Sequence, residues 1–178
     1  MKSDIGNFER SKLLLPANRL TKTLSLSALF SISFLFPPFL QAQGTWVQKS
    51  SLSQGRAAGV AFSIGNKGYS GTGQNASGNL NDFWEYNPST DTWTSKANFL
   101  GGTRNLAIGI SIGNKGYVGT GMGGVGFFND FWEYDPVADT WAQRPNVGGQ
   151  PRALAAAFSL GGKGYVGTGG GFGGMFDD

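Results

Sequence analysis

From about residue 57 onward the apolar positions fall in runs of five to eight, each closed by glycine, asparagine or proline, which predicts short β-strands joined by tight turns. The apolar stretch 57–64 is followed by Gly65-Asn66-Lys67-Gly68. A second run then opens at Tyr69 and ends in Gly71-Thr72-Gly73. A glycine-rich loop leads to Asp82-Phe83-Trp84-Glu85-Tyr86, a turn follows over Asn87-Pro88-Ser89-Thr90-Asp91, and a last run carries Thr92-Trp93. The glycines and asparagine of the first turn are read as supplying the positive φ that a tight hairpin demands. Ahead of all this, the chain has a different texture. Residues 1–44 begin basic, continue into an apolar run over 24–36 and break at Pro37-Pro38.

The strand pattern repeats every 48 residues. Arg56, Arg104 and Arg152 keep that interval, as do Gly65, Gly113 and Gly161, and Tyr69, Tyr117 and Tyr165. Trp84 recurs at Trp132 and Trp93 at Trp141. Residues 56–103 and 104–151 align without a gap and are identical at 24 of 48 positions. A third copy opens at Arg152. Four strands per repeat at a period near 50 predict the blades of a β-propeller.

An apolar strand, a tyrosine-led strand ending in glycines, and a Tyr and a Trp with six residues between them (Tyr86 to Trp93, Tyr134 to Trp141) together resemble the kelch repeat. The resemblance covers 45–178. It departs from the usual pattern at the glycine doublet, which reads Gly71-Thr72-Gly73 and Gly119-Thr120-Gly121, as in a variant of the secreted bacterial kelch-like kind. The expected fold is all-β, with kelch-type blades of four antiparallel strands in an incomplete ring of about two and a half blades. The expected divisions are a signal peptide or N-terminal anchor at 1–44, an orphan fourth strand at 45–55, repeat 1 at 56–103, repeat 2 at 104–151 and a partial repeat 3 at 152–178. The third copy stops just before its Phe-Trp-Glu-Tyr strand. That favours a truncated reading frame of a protein with six or seven blades over a short protein that closes by oligomerising.

Charge sharpens the division. The sequence carries a net +3 with a pI near 9.3, which alone would suggest nucleic-acid or membrane partners. Five basic and two acidic residues lie in 1–44, and the remaining nine of each lie in 45–178, so the repeats are neutral. No nucleic-acid partner is expected, and no membrane partner once the leader is removed. A basic start, an apolar core of about 13 residues and small residues near Ala42 and Gly44 fit an exported protein, secreted, periplasmic or on the cell surface.

Histidine and cysteine are both absent. Disulfides, thiolate nucleophiles, Ser-His-Asp catalysis, zinc fingers and histidine-ligated haem or copper are thereby excluded. No cofactor or metal is expected. The arginines at 56, 104 and 152 open the innermost strands and are the candidate binding residues. They would either clamp an anion such as a carboxylate sugar or pair with an acidic residue of the blades. The tryptophans read as packing between blades, Glu85 and Glu133 as solvated or arginine-paired, and Asp82, Asp91, Asp130 and Asp139 as turn caps. The loops between second and third strands, 74–81, 122–129 and 170–177, repeat least and are the expected seat of a protein or glycan ligand. Expected function is a binding, interaction or structural module. The alternatives are a fragment of a carbohydrate-active, mutarotase-like propeller enzyme and a non-functional truncated frame. The family resemblance extends to galactose oxidase, whose copper chemistry needs histidine and cysteine and is excluded here. Self-association is expected if the chain is expressed as it stands.

Overall fold

The computed structural model describes residues 45–178; the expected export segment lies outside them. Among the described residues every element formed is a strand. In the first repeat β1 (Val60–Ile64), β2 (Lys67–Gly71), β5 (Phe83–Asn87) and β6 (Thr92–Lys96) form one antiparallel sheet in the order β1-β2-β5-β6. The second repeat builds the same sheet from β7 (Ile108–Ile112), β8 (Lys115–Gly119), β11 (Phe131–Asp135) and β12 (Thr140–Arg144). The third contributes one hairpin, β13 (Ala156–Leu160) with β14 (Lys163–Gly167). Each repeat thus gives the strands its sequence predicts, as two four-stranded sheets and a half.

The turn chemistry explains the registers. Gly65-Asn66 closes a two-residue hairpin with Ile64 opposite Lys67, and Gly65 sits at φ +58°. Gly113 and Gly161 repeat it at +59° and +58°. At the other end, the Asn87 and Asp135 side chains accept backbone N–H groups two residues on, at 3.0 and 2.9 Å, which folds the proline turn. Two expectations change. The glycine-rich loops are small hairpins: β3 (Gln74–Asn75) with β4 (Gly78–Asn79), β9 (Met122–Gly123) with β10 (Gly126–Phe127), and β15 (Gly170–Gly171) with β16 (Gly174–Met175). Residues 45–55, expected as a fourth strand, take no strand form, and no strand pairs with them among the described residues.

Side-chain alternation gives each sheet two unlike faces. Val60, Phe62, Ile64, Tyr69 and Phe83 share one face of the first blade. The opposite face of the second blade, with Gly109, Gly116, Tyr134 and Trp141, packs onto it. Phe83 meets Tyr134 and Trp141 edge-on at centroid distances of 4.8 and 4.9 Å, a geometry that stabilises aromatic pairs. These residues form the core.

Gly116 is a slot, not a turn residue. It lies within β8, and a Cβ there would overlap the Phe62 ring of the preceding blade. Gly68, its counterpart in the first blade, has no preceding blade in front of it among the described residues, and a Cβ would meet only Tyr86 at an ordinary 3.6 Å. Gly116→Ala is therefore expected to cost about 1–3 kcal/mol by overpacking, while Gly68→Ala stays within about 0.5 kcal/mol. Urea midpoints of the two variants check this; equal losses would place the glycine requirement inside the blade.

Candidate functional site

The three candidate arginines all stand where a blade's first strand begins, and all three make the same bonds. Arg56 donates both Nη atoms to the Asp82 carboxylate at 2.6 and 2.7 Å. Arg104 does so to Asp130 at 2.5 and 2.8 Å, and Arg152 to Asp178 at 2.5 and 2.8 Å. Each also donates to the carbonyl of the threonine in its own Gly-Thr-Gly, at 3.1 Å (Thr72), 2.8 Å (Thr120) and 3.1 Å (Thr168). The fork therefore ties the entries of strands one and three to the end of strand two. Arg104 is enclosed further, with its guanidinium 4.8 Å from the Phe99 ring centre and 4.0 Å from that of Phe128, and it donates to the Gly101 carbonyl. Arg104 and Arg152 are buried. Of the two uses expected for these arginines, an anion clamp or a partner for the blade's own acid, the structure places them in the second arrangement. Hydrogen bonds from Arg56 hold the Asp82 carboxyl below the usual carboxylate range, against the opposing effect of burial.

The threonines pay for this geometry in backbone strain. Thr72, Thr120 and Thr168 sit at φ +53°, +57° and +61°, a region hostile to β-branched residues. Their N–H groups bond the carbonyls of Asp82, Asp130 and Asp178 at 3.1, 3.1 and 3.0 Å. The sequence departure at the glycine doublet is thus a left-handed position filled by threonine. The glycines after them, Gly73 and Gly121, are obligatory: a Cβ would stand 2.6 Å from the Ala57 carbonyl oxygen and 2.7 Å from that of Asn105.

Tryptophans and aspartates join into two devices. Trp84 and Trp132 donate their indole N–H to Asp82 and Asp130 at 2.7 and 2.9 Å, buttressing the arginine pairs. Trp141 instead reaches the preceding blade and donates to the Ala97 carbonyl at 2.9 Å. The Ala97 N–H donates to Asp139 at 3.0 Å, and Tyr134 donates to the same carboxylate oxygen at 2.7 Å. The backbone of one residue is gripped at both its N–H and its C=O. The arrangement recurs at Ser50, held by Trp93 at 2.8 Å and Asp91 at 3.0 Å, with Tyr86 on Asp91 at 2.6 Å. Ser50 therefore stands to the first blade as Ala97 stands to the second, although its segment forms no strand. Glu85 and Glu133 accept Tyr69 and Tyr117 hydroxyls at 2.8 and 2.9 Å, and Arg144 pairs with Glu133 at 2.8 Å.

Burial, and then the carboxylate each one bonds, pushes the Tyr69 and Tyr134 hydroxyls well above the usual tyrosine value. For a raised group the stability is fully present below about pH 10 and is lost as pH climbs through the higher folded value. Tyr69 and Tyr134 are expected to ionise only together with unfolding, and Tyr134→Phe to flatten the alkaline part of the stability curve. Absorbance at 295 nm followed alongside circular dichroism checks this; ionisation of both groups in a fully folded chain would refute it.

Sequence reasoning missed a cavity of about 350 Å³ at the hairpin end, between the second and third repeats. Leu106, Met122, Phe127, Leu154 and Met175 line it, with glycines between them. At the equivalent place between the first two repeats, amide side chains bond one another instead. Asn105 Nδ2 donates to Gln74 Oε1 at 2.5 Å and to Asn79 Oδ1 at 2.9 Å. A comparison of the copies at equivalent positions carries the missed signal: Gln74 becomes Met122 and Asn79 becomes Phe127. Among the described residues, no group of three or more acidic side chains stands close enough to hold a metal ion.

A family model described as the Kelch motif matches residues 68–100. Residues 68–100, within the first repeat, thus carry a kelch motif, and the second repeat builds the same four-stranded sheet from the equivalent residues. The blades are similar to the solved structure of YjhT, with a TM-score of 0.60 and 23% identity over 70% of this chain, a likeness of fold. The chain spans 37% of the length of that protein. No curated protein matches the sequence.

Proposed function

We propose that this is an exported kelch module that binds a partner through the hairpin end of its blades and forms part of a larger propeller. The observation that carries the binding reading is the cavity between the β9–β10 and β15–β16 hairpins. It occurs where the repeats differ most, on a scaffold held rigid by the Arg–Asp forks. Membership of a larger ring is supported by the 37% coverage of YjhT and by the uncovered face of the third repeat. Export rests on the layout of 1–44. Amino-terminal sequencing of the protein recovered outside the cell is expected to start after Ala42 or Gly44, and recovery of an intact Met1 in the cytoplasm would overturn that part.

A binding module is favoured over an enzyme because the candidate acids and bases are repeated and mutually paired: Asp82 with Arg56, Asp130 with Arg104, Glu133 with Arg144. Catalytic chemistry needs a group free to exchange a proton with substrate. The test is a parallel screen of the chain against a glycan array, a peptide library and an NMR assay of sugar anomerisation. Ligand enrichment that disappears when 122–127 is replaced by the sequence of 74–79 is the expected outcome. Catalysed anomerisation would instead establish the mutarotase-like alternative, and silence in all three would leave the non-functional frame.

A further inference from the structure

The class of partner follows from the chemistry of the cavity and of the amide cluster beside it at the hairpin end, and it rests on the binding reading above. The cavity between the second and third repeats is walled by Leu106, Met122, Phe127, Leu154 and Met175, with no charged or polar side chain in its lining. A sugar seated there would leave its hydroxyls without partners, which is costly. An anion would find no cation, since the nearby arginine forks each face a carboxylate. A single large apolar side chain fits both the size and the lining, and methionines adapt to varied shapes.

The neighbouring junction of the first two repeats has the complementary chemistry. Asn105 exchanges both backbone hydrogen bonds with Met122, at 2.9 Å each, so it shares a wall with the cavity. Its side chain turns to the first repeat and donates to Gln74 and Asn79, and its Oδ1 has no partner although the residue is only 5% exposed. Carboxamides both donate and accept, as a peptide backbone does. We propose that the hairpin end binds an uncharged, extended peptide segment of a partner protein, with an apolar side chain anchored in the Met122–Phe127 cavity and its backbone hydrogen-bonded along Gln74, Asn79 and Asn105.

The repeats themselves supply variants that the fold tolerates. Met122→Gln with Phe127→Asn installs in the second blade what the first carries at 74 and 79, and Asn105→Ala copies Ala57 and Ala153. A random peptide library panned on the full chain is expected to yield neutral sequences with a shared leucine, methionine or aromatic position. Calorimetry on a selected peptide should then show at least about tenfold weaker binding for the double variant. Asn105→Ala should weaken binding several-fold without changing the preferred anchor, and unchanged melting curves exclude a folding effect. Selected peptides that are acidic, or whose affinity ignores the double variant, would overturn the proposal while leaving a binding module in place. If glycans are enriched and peptides are not, the partner class is wrong. Absence of any ligand would overturn both.

Discussion

Arg104→Ala is expected to lower the unfolding free energy by about 3–5 kcal/mol, the cost of stripping one partner from a buried ion pair. The Asp130 carboxylate would be left with its side chain 18% exposed, its charge uncompensated and only the Trp132 indole N–H bonding it. The Thr120 and Gly101 carbonyls would lose a donor, and the Phe99 and Phe128 rings would face a void. Arg56→Ala should cost less, because Asp82 is 25% exposed and water can replace part of what is lost. Replacing both members, as Arg104→Met with Asp130→Leu, is expected to recover much of the loss, since the pair must first offset its own desolvation. Urea denaturation of the three variants decides the matter. A single-variant loss below about 1 kcal/mol would mean that the fork does not hold the blade, and would return these arginines to the role of ligand clamps.

These partnerships show which parts of the molecule are written locally in the sequence. The strands were legible because apolar runs, hairpin glycines and the proline turn are local instructions, and a 48-residue period repeats each of them. The Arg–Asp pairs recur with the same period, 26 residues apart in each copy. Their contact nevertheless depends on β5 returning beside β2, which is a property of sheet order and not of spacing. Gly116 misleads for a related reason. Beside Asn114 and Lys115 it reads as a turn residue, whereas its constraint comes from Phe62 on another blade. The small hairpins are two residues per strand, too short to show alternation. The cavity was obscured because a search for repeats rewards identity, and Met122 and Phe127 matter by differing from Gln74 and Asn79.

The same blade-to-blade packing predicts how the chain behaves in solution at high concentration. In the third repeat Phe158, Leu160 and Tyr165 are 57%, 67% and 43% exposed. Their counterparts Phe62, Ile64 and Tyr69 lie beneath Gly109, Gly116, Tyr134 and Trp141 of the second blade. At the other end the first blade presents Gly68, Tyr86 and Trp93, the equivalents of the covering set, with no blade against them among the described residues. One face is therefore shaped to receive the other. Copies of this chain are expected to associate head to tail in a concentration-dependent way, with each buried large apolar side chain contributing about 1.5–3 kcal/mol before the cost of association. The contact is heterologous, so it either closes a ring or propagates. Phe158→Glu should disable one face, and Gly68→Glu should fill the opposing slot without disturbing its own blade. Each variant alone should sediment as a monomer, and an equimolar mixture should form a one-to-one dimer through the two faces left intact. Wild-type monomers at every concentration, or assembly indifferent to both variants, would show that these faces do not mate; a dimer only in the mixture would show that the packing between the first two blades is the rule by which this sequence joins any blade to the next.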